Sequence, residues 1–146
     1  MEEEFHNHMR IPWHDYTRKS IGRPITEASL SEKASIIGRT GIMLLSCGTG
    51  AWRVRSSMNT LARELGITCT ADIGLLSIEY TCIDGGNCYT ESLCLFNTGV
   101  NTSKLYRMEE FVNKFAGNCK KMSGDELHTL LDRIHEIHGF YSPPFL

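Results

Sequence analysis

The chain has 146 residues, of which 41% are hydrophobic, and it carries a formal net charge of -2. This length suits one domain with a buried core, and the lack of a basic excess excludes proteins that bind nucleic acid through a positive surface. No apolar run approaches the roughly 20 residues of a membrane helix. The acidic start, Met1-Glu2-Glu3-Glu4, argues against a secretory signal and predicts residence in the cytosol.

The six cysteines are predicted to be free thiols, because a chain of this size without an export signal is expected in a reducing compartment. Cys82 and Cys88 flank a turn at a spacing that could hold zinc, but no CxxC pair exists. His6 and His8 lie near a terminus, where side chains are solvated. The C-terminal histidines do not form the HExxH zinc motif: His128, His135 and His138. The sequence therefore predicts neither a metal nor a cofactor.

The first helix of the chain follows a segment without regular structure. Residues 1–24 show no sustained period and are predicted to form a flexible N-terminal arm, with a single domain over residues 25–146. Ser29 and Glu32 form a capping box, and the helical spacing that follows predicts a helix from Leu30 to Ser46. Gly38 and Gly41 are weak helix formers and indicate close packing against a neighbouring element.

A glycine turn then leads into a second helix, and the two helices form a hairpin. The apolar positions of this helix, which Gly66 ends, are Trp52, Val54, Met58, Leu61, Ala62 and Leu65. Thr49 is placed to cap the helix, and its free N-terminal amides attract anions, so the turn is a candidate carboxylate or phosphate site. The alternative is structural: Gly48 is only a helix C-cap and Trp52 only part of the core.

From Ile67 the period changes to two, which predicts strands over residues 67–73, 75–83 and 88–96. Asp84-Gly85-Gly86-Asn87 is a hairpin signal. Its register places two rows on the core face: Leu76, Ile78, Tyr80 and Cys82, beside Leu95, Leu93, Glu91 and Tyr89. The opposite face is a polar row: Ser77, Glu79, Thr81, Thr90 and Ser92.

Two amphipathic helices complete the chain. The first is predicted from Lys104 to Ala116, and the second follows a capping box at Ser123 and runs to Gly139. The element order ααβββαα predicts an α+β fold with a two-helix hairpin, a three-stranded mostly antiparallel sheet and two C-terminal helices.

Four segments carry a resemblance to a known family: residues 44–66, 68–74, 77–84 and 97–102. In this order they resemble the N-terminal cytoplasmic domain of the threonine/serine exporter family, over roughly residues 34–146. The resemblance implies a domain on the cytoplasmic face of the cell membrane, with membrane helices expected after residue 146. Those helices export threonine, serine or similar small polar metabolites, in some relatives a dicarboxylate. The apolar ending of residues 143–146 is expected to continue into them.

The resemblance also implies partners and a role. The domain is expected to act in regulation, gating or assembly, together with the membrane portion of the same exporter and, as in some relatives, a separate membrane subunit. A homo-oligomer is an open alternative, in which the glycine-rich helix and the sheet edge make subunit contacts.

The predicted ligand is a small carboxylate metabolite at the glycine turn, bound by Cys47, Gly48, Thr49, Gly50, Trp52 and Arg53. No catalytic residue is assigned, because Gly50 and Arg55 stand where many relatives carry acidic residues. The alternative is a hydrolase-like domain with a nucleophile at the turn. Its candidate nucleophiles are Ser46, Cys47 and Thr49, and its candidate bases are Asp72, Glu79 and the histidines of the last helix.

Overall fold

A computed structural model describes residues 11–137 of the chain. Its helices are α1 (Trp13–Tyr16), α2 (Leu30–Ser46), α3 (Ala51–Glu64), α4 (Thr102–Lys114) and α5 (Gly124–His135), and its strands are β1 (Thr68–Ile73), β2 (Ser77–Asp84) and β3 (Asn87–Cys94). Short 3-10 turns lie at Arg18–Ser20, Ile25–Glu27 and Cys119–Lys121. This order of helices around a three-stranded antiparallel sheet confirms the predicted α+β fold.

Helix α2 is the central element. Every residue from Glu32 to Leu45 is buried, as expected for a helix that other elements surround on all sides. Its observed limits, Leu30 and Ser46, are those predicted, because the capping box at Ser29 fixes the start. The Glu32 carboxylate accepts a hydrogen bond from the Ser29 backbone N–H at 3.0 Å.

The sheet packs one face against α2, with β2 in the centre. The predicted hairpin register is confirmed: Ile78 faces Leu93, and Tyr80 faces Glu91. The alternation of the strands leaves the polar row on the other face, where Glu79 is directly opposite Ser92. The sheet therefore has one face in the core and one face in water.

The glycines of α2 are sites of close approach, as predicted. A Cβ atom on Gly38 would lie 2.2 Å from the hydroxyl oxygen of Tyr80, and one on Gly41 would lie 2.5 Å from the sulfur of Met58. The Tyr80 hydroxyl can donate to the backbone carbonyl of Ala34, 3.0 Å away. Both glycines therefore give room to a side chain of a neighbouring element.

The structure differs from the predicted flexible arm over residues 11–24. Trp13 and Thr17 are buried, and a Cβ on Gly124 would lie 2.5 Å from a methyl carbon of Thr17. Short helical turns present isolated buried side chains, which produce no sequence period. The segment is thus packed onto the start of α5.

Several predictions concern residues outside 11–137, namely those for His6, His8, His138, the helix end at Gly139 and residues 143–146. Within 11–137, no helix combines the length and apolar character that crossing a bilayer requires. No disulfide joins the six cysteines. The described part of the chain contains no group of three or more metal-ligating side chains placed to hold an ion.

Candidate functional site

The glycine turn is a helix C-cap held by backbone hydrogen bonds. Gly48 has a φ of +89°, a conformation that favours glycine. Its N–H donates to the carbonyl of Leu45 at 3.1 Å, and the N–H of Thr49 donates to that of Leu44 at 3.4 Å. This pair of bonds is the Schellman motif, so Gly48 has the helix C-cap geometry that the structural alternative predicted.

Thr49 does not cap the next helix. The N-cap of α3 is Gly50, and Thr49 is buried with no hydrogen-bond partner for its hydroxyl among residues 11–137. The predicted cap is wrong because the chain leaves Gly48 in a left-handed conformation and becomes extended at Gly50, with φ -67° and ψ 156°. This places the helix start one residue later than the hydroxyl requires.

A loop covers the turn on one side. The Thr98 hydroxyl donates to the carbonyl of Leu45 at 3.0 Å, and the N–H of Gly99 donates to that of Ser46 at 3.4 Å. Cys47 is buried at this helix end, and burial raises the pKa of its thiol. A thiol with a raised pKa stays protonated at neutral pH, which makes it a poor nucleophile.

The remaining predicted site residues are exposed. The expected core position of Trp52 is wrong: its side chain lies on the solvent side of the first turn of α3. Arg53 is also exposed and forms an ion pair with Glu109, at 2.9 Å between its Nη1 and the carboxylate Oε2. The turn therefore separates the predicted ligand residues into a buried pair, Cys47 and Thr49, and an exposed group.

A second group of polar residues lies where residues 11–24 meet α2 and α5. The His14 ring contacts two carboxylates: Nδ1 is 2.7 Å from Asp125 Oδ1, and Nε2 is 2.8 Å from Asp132 Oδ2. Both nitrogens can donate only when the ring is charged. Burial lowers the pKa of His14, but the hydrogen bonds to Asp132 and Asp125 outweigh it, so the pKa is raised.

Arg39 joins the same group from the middle of α2. Its Nη2 donates to Asp132 Oδ1 at 2.5 Å, and its Nη1 donates to the backbone carbonyl of His128 at 3.1 Å. The guanidinium lies 5.8 Å from the ring centroid of Trp13, within the range of a cation–π contact. We refer to His14, Arg39, Asp125, His128 and Asp132 as the charge cluster.

Ser35 and His128 are arranged like a nucleophile and its base, but they cannot act as such a pair. The ring Nε2 is 3.0 Å from Ser35 Oγ, and the ring Nδ1 is 3.1 Å from Arg39 Nη1. Arginine only donates, so Nδ1 accepts and Nε2 carries the proton. Burial, followed by the charges of Arg39 and His14, lowers the pKa of His128 to about 3. A neutral ring that donates to a buried serine has a structural role.

A cleft of about 240 Å³ opens beside the charge cluster, lined by Ile11, Pro12, Trp13, His14, Asp15, Arg39, Asp132 and His135. Its wall combines cationic and anionic side chains with apolar residues. This composition suits a small molecule that carries both charges. Sequence reasoning missed this site because its contacts join residues 93 to 118 positions apart. The only available signal was Arg39, the one charged residue of α2 beyond its first turn.

Comparison with known proteins matches residues 35–146 to one family model, described as "Putative threonine/serine exporter". No curated protein and no solved structure matches the chain. The matched region begins inside α2 and includes the glycine turn, the sheet and Arg39, whereas Trp13 and His14 precede it. The charge cluster therefore combines residues of the matched region with a residue from outside it.

Proposed function

The chain belongs to the threonine/serine exporter family, and on that premise we propose that it is a regulatory domain on the cytoplasmic face of a membrane exporter. The transported molecules are threonine, serine or similar small polar metabolites. The membrane portion of the exporter is the partner of the domain, and a separate membrane subunit or a second copy of the chain are further candidates.

The charge cluster is the observation that carries a regulatory role. It ties residues 11–24 to α5, and the side chains of His14, Asp125 and Asp132 are each about 40% exposed. Partly exposed side chains can gain or lose protons and exchange hydrogen-bond partners, unlike the fully buried His128. The exposed polar face of the sheet, with Glu79 and Ser92, supports a position in water.

The cleft is a better ligand site than the glycine turn. A free amino acid carries one carboxylate and one ammonium group, the same two charges that His14 and Asp132 present to each other at 2.8 Å. Such a ligand can take up both partners and thereby loosen the contact between residues 11–24 and α5. At the turn, by contrast, Cys47 and Thr49 are buried, and Arg53 is already paired with Glu109.

Export by cells that carry the full-length exporter tests the regulatory role. Asp125→Asn keeps the size of the side chain but removes the negative charge that contacts His14. We therefore expect export of threonine and serine to lose its normal dependence on their concentration inside the cell. Asp84→Asn, at the exposed hairpin turn, is the matched control and should export normally. Unchanged export by a variant lacking residues 11–137 would contradict the proposal.

Calorimetry on the 146-residue chain tests the ligand. We expect binding of threonine or serine, weakened roughly tenfold or more by Asp132→Asn, since a hydrogen bond to a charged group contributes about 1.5–3 kcal/mol. If the heat of binding were lost in Arg53→Ala and kept in Asp132→Asn, the ligand would bind at the glycine turn and not in the cleft.

The hydrolase-like alternative has less support. It requires a reactive nucleophile at the turn, whereas Cys47 is protonated and both Cys47 and Thr49 are buried. Ester hydrolysis that disappears in Cys47→Ala would establish it.

A further inference from the structure

Two cysteines face each other across neighbouring strands of the sheet. Cys69 on β1 lies directly opposite Cys82 on β2, and both side chains are buried on the face of the sheet that packs in the core. The two thiols are hydrogen-bonded to each other. Both are free thiols, so their sulfur atoms are close together but not bonded.

The position of this pair in the sheet suits a disulfide. The N–H of Gly74 donates to the carbonyl of Ser77 at 2.8 Å, which continues the register of β1 and β2 with a hydrogen-bonded pair. Hydrogen-bonded and non-hydrogen-bonded pairs alternate along antiparallel strands, and an odd number of steps leads from Gly74 to Cys69. Cys69 and Cys82 are therefore a non-hydrogen-bonded pair, whose Cα atoms lie about 4.5 Å apart. This separation falls within the roughly 4.4–6.8 Å that a disulfide spans.

None of the other four cysteines faces a second thiol across the strands that the structure describes. Cys88 lies opposite Ile83, and Cys94 lies opposite Ser77. The remaining two are outside the sheet, at the end of α2 and in the 3-10 turn before α5. The register of the sheet therefore brings together a single pair of cysteines.

We propose that Cys69 and Cys82 form a reversible disulfide when the chain meets a peroxide. The sulfur of Cys69 attacks one oxygen of hydrogen peroxide, so that an S–O bond forms, the O–O bond breaks, and a sulfenic acid and one water result. The sulfur of Cys82 then attacks the sulfur of Cys69: the S–S bond forms, the S–O bond breaks, and a second water leaves. The two thiols are oxidised, the peroxide is reduced, and the thiol protons leave in the two waters.

Exposure and hydrogen bonding assign the first step to Cys69. It is 8% exposed on the edge strand β1, whereas Cys82 is 0% exposed in the central strand, so a small oxidant reaches Cys69 first. The hydrogen bond between the two thiols lowers the pKa of Cys69 and raises that of Cys82. Because the thiolate is the reactive form of cysteine, Cys69 attacks the peroxide and Cys82 resolves the sulfenic acid.

The disulfide would tie the edge strand of the sheet to its centre. In a compartment that keeps thiols reduced, such a bond forms transiently and reports the presence of an oxidant, and a dithiol reverses it by thiol–disulfide exchange. Neither cysteine lines the cleft beside the charge cluster. Oxidation of this pair and ligand binding in the cleft can therefore be tested separately.

Mass spectrometry of the 146-residue chain tests the pair. The folded chain is treated with hydrogen peroxide and then unfolded, and its remaining thiols are alkylated. We expect four alkylated cysteines in place of six, and six again when dithiothreitol is added before alkylation. Cleavage after glutamate and before aspartate places Cys69 in residues 65–71 and Cys82 in residues 80–83. The disulfide should therefore join these two short peptides.

Three variants test the order of the steps. Cys82→Ser should leave Cys69 as a sulfenic acid that dimedone traps, and Cys69→Ser should abolish both the disulfide and the trapped product. The matched control is Cys88→Ser, which removes the exposed cysteine of β3 and should form the disulfide as the wild type does.

The wild-type chain alone can overturn the proposal, so the test does not depend on whether a variant folds. Six alkylated cysteines after peroxide treatment would contradict it, as would a disulfide that joins other cysteines or two chains. Peroxide added in urea provides the control for the fold. An equal yield of the Cys69–Cys82 peptide pair from the unfolded chain would show that the sheet does not select this pair.

Discussion

The two candidate sites on α2 are built in opposite ways. At its C-terminal end, the glycine turn is held by backbone hydrogen bonds from Gly48, Thr49 and Gly99. In its middle, Arg39 enters a cluster of charged side chains that reaches His14 and Asp132. Backbone hydrogen bonds do not titrate, whereas the charge cluster depends on which of its groups are ionised. The turn therefore holds one backbone conformation, whereas the interactions of the charge cluster change with pH.

Removing the buried cation should produce the largest effect. We expect Arg39→Ala to lower the free energy of unfolding by about 3 kcal/mol, because it leaves Asp132 without its guanidinium and opens space beside Trp13. Arg53→Ala breaks the exposed ion pair with Glu109 and should cost less than about 1 kcal/mol. Urea unfolding of both variants measures the difference, and similar losses would remove the contrast between the two regions.

A side chain added at the glycine turn should lower the free energy of unfolding by less than the loss of Arg39 does. Gly48→Ala forces an alanine into a left-handed conformation, and we expect a loss of about 1–2 kcal/mol. Gly50→Ala is the matched control, since Gly50 has a φ of -67° and a Cβ there would meet no described atom within 4 Å. It should lie within about 0.5 kcal/mol of the wild type. Equal thermal stability of the two variants would contradict the assigned role of Gly48.

The dependence of stability on pH separates the regions more finely. The pKa of His14 is raised above 6.5 in the folded chain, so its stabilisation is complete below about pH 6.5 and is lost as the pH rises through the folded pKa. The pKa of His128 is lowered from 6.5 to about 3, so its stabilisation is complete above pH 6.5 and is lost as the pH falls. Stability should therefore be greatest near pH 6.5.

Thermal unfolding across a pH series measures this curve. In His14→Gln, the decline between pH 6.5 and 8 should disappear while the decline on the acid side remains. Gly48→Ala should lower the whole curve without changing its shape. A wild-type curve that is flat above pH 6.5 would show that His14 is not clamped between Asp125 and Asp132.

The smallest expected effect is at Thr49. Its hydroxyl is buried with no partner among the described residues, and a buried polar group without a hydrogen bond costs free energy. Thr49→Val should therefore leave the chain as stable or up to about 1 kcal/mol more stable. A loss of stability in urea unfolding would reveal a partner for the hydroxyl.

Sequence alone predicted the parts of the fold that local rules determine. The capping box at Ser29 set the start of α2, and the turn Asp84-Gly85-Gly86-Asn87 set the register of β2 and β3. It did not predict the charge cluster, because a hydrogen bond between His14 and Asp132 spans 118 positions and no local pattern encodes it. Trp13 and Trp52 show the same limit: neither hydropathy nor period revealed which one is buried.

The contact between Gly38 and Tyr80 has a mechanical consequence. The Tyr80 hydroxyl occupies the space that a side chain on Gly38 would need, and it lies within hydrogen-bond distance of both Ala34 and Glu91. Sliding α2 along the sheet by one turn would bring a larger residue of the same helix face, Ala34 or Ile42, against that hydroxyl. This contact therefore fixes the position of α2 along the sheet, and we expect a shift of the helix to carry the sheet with it.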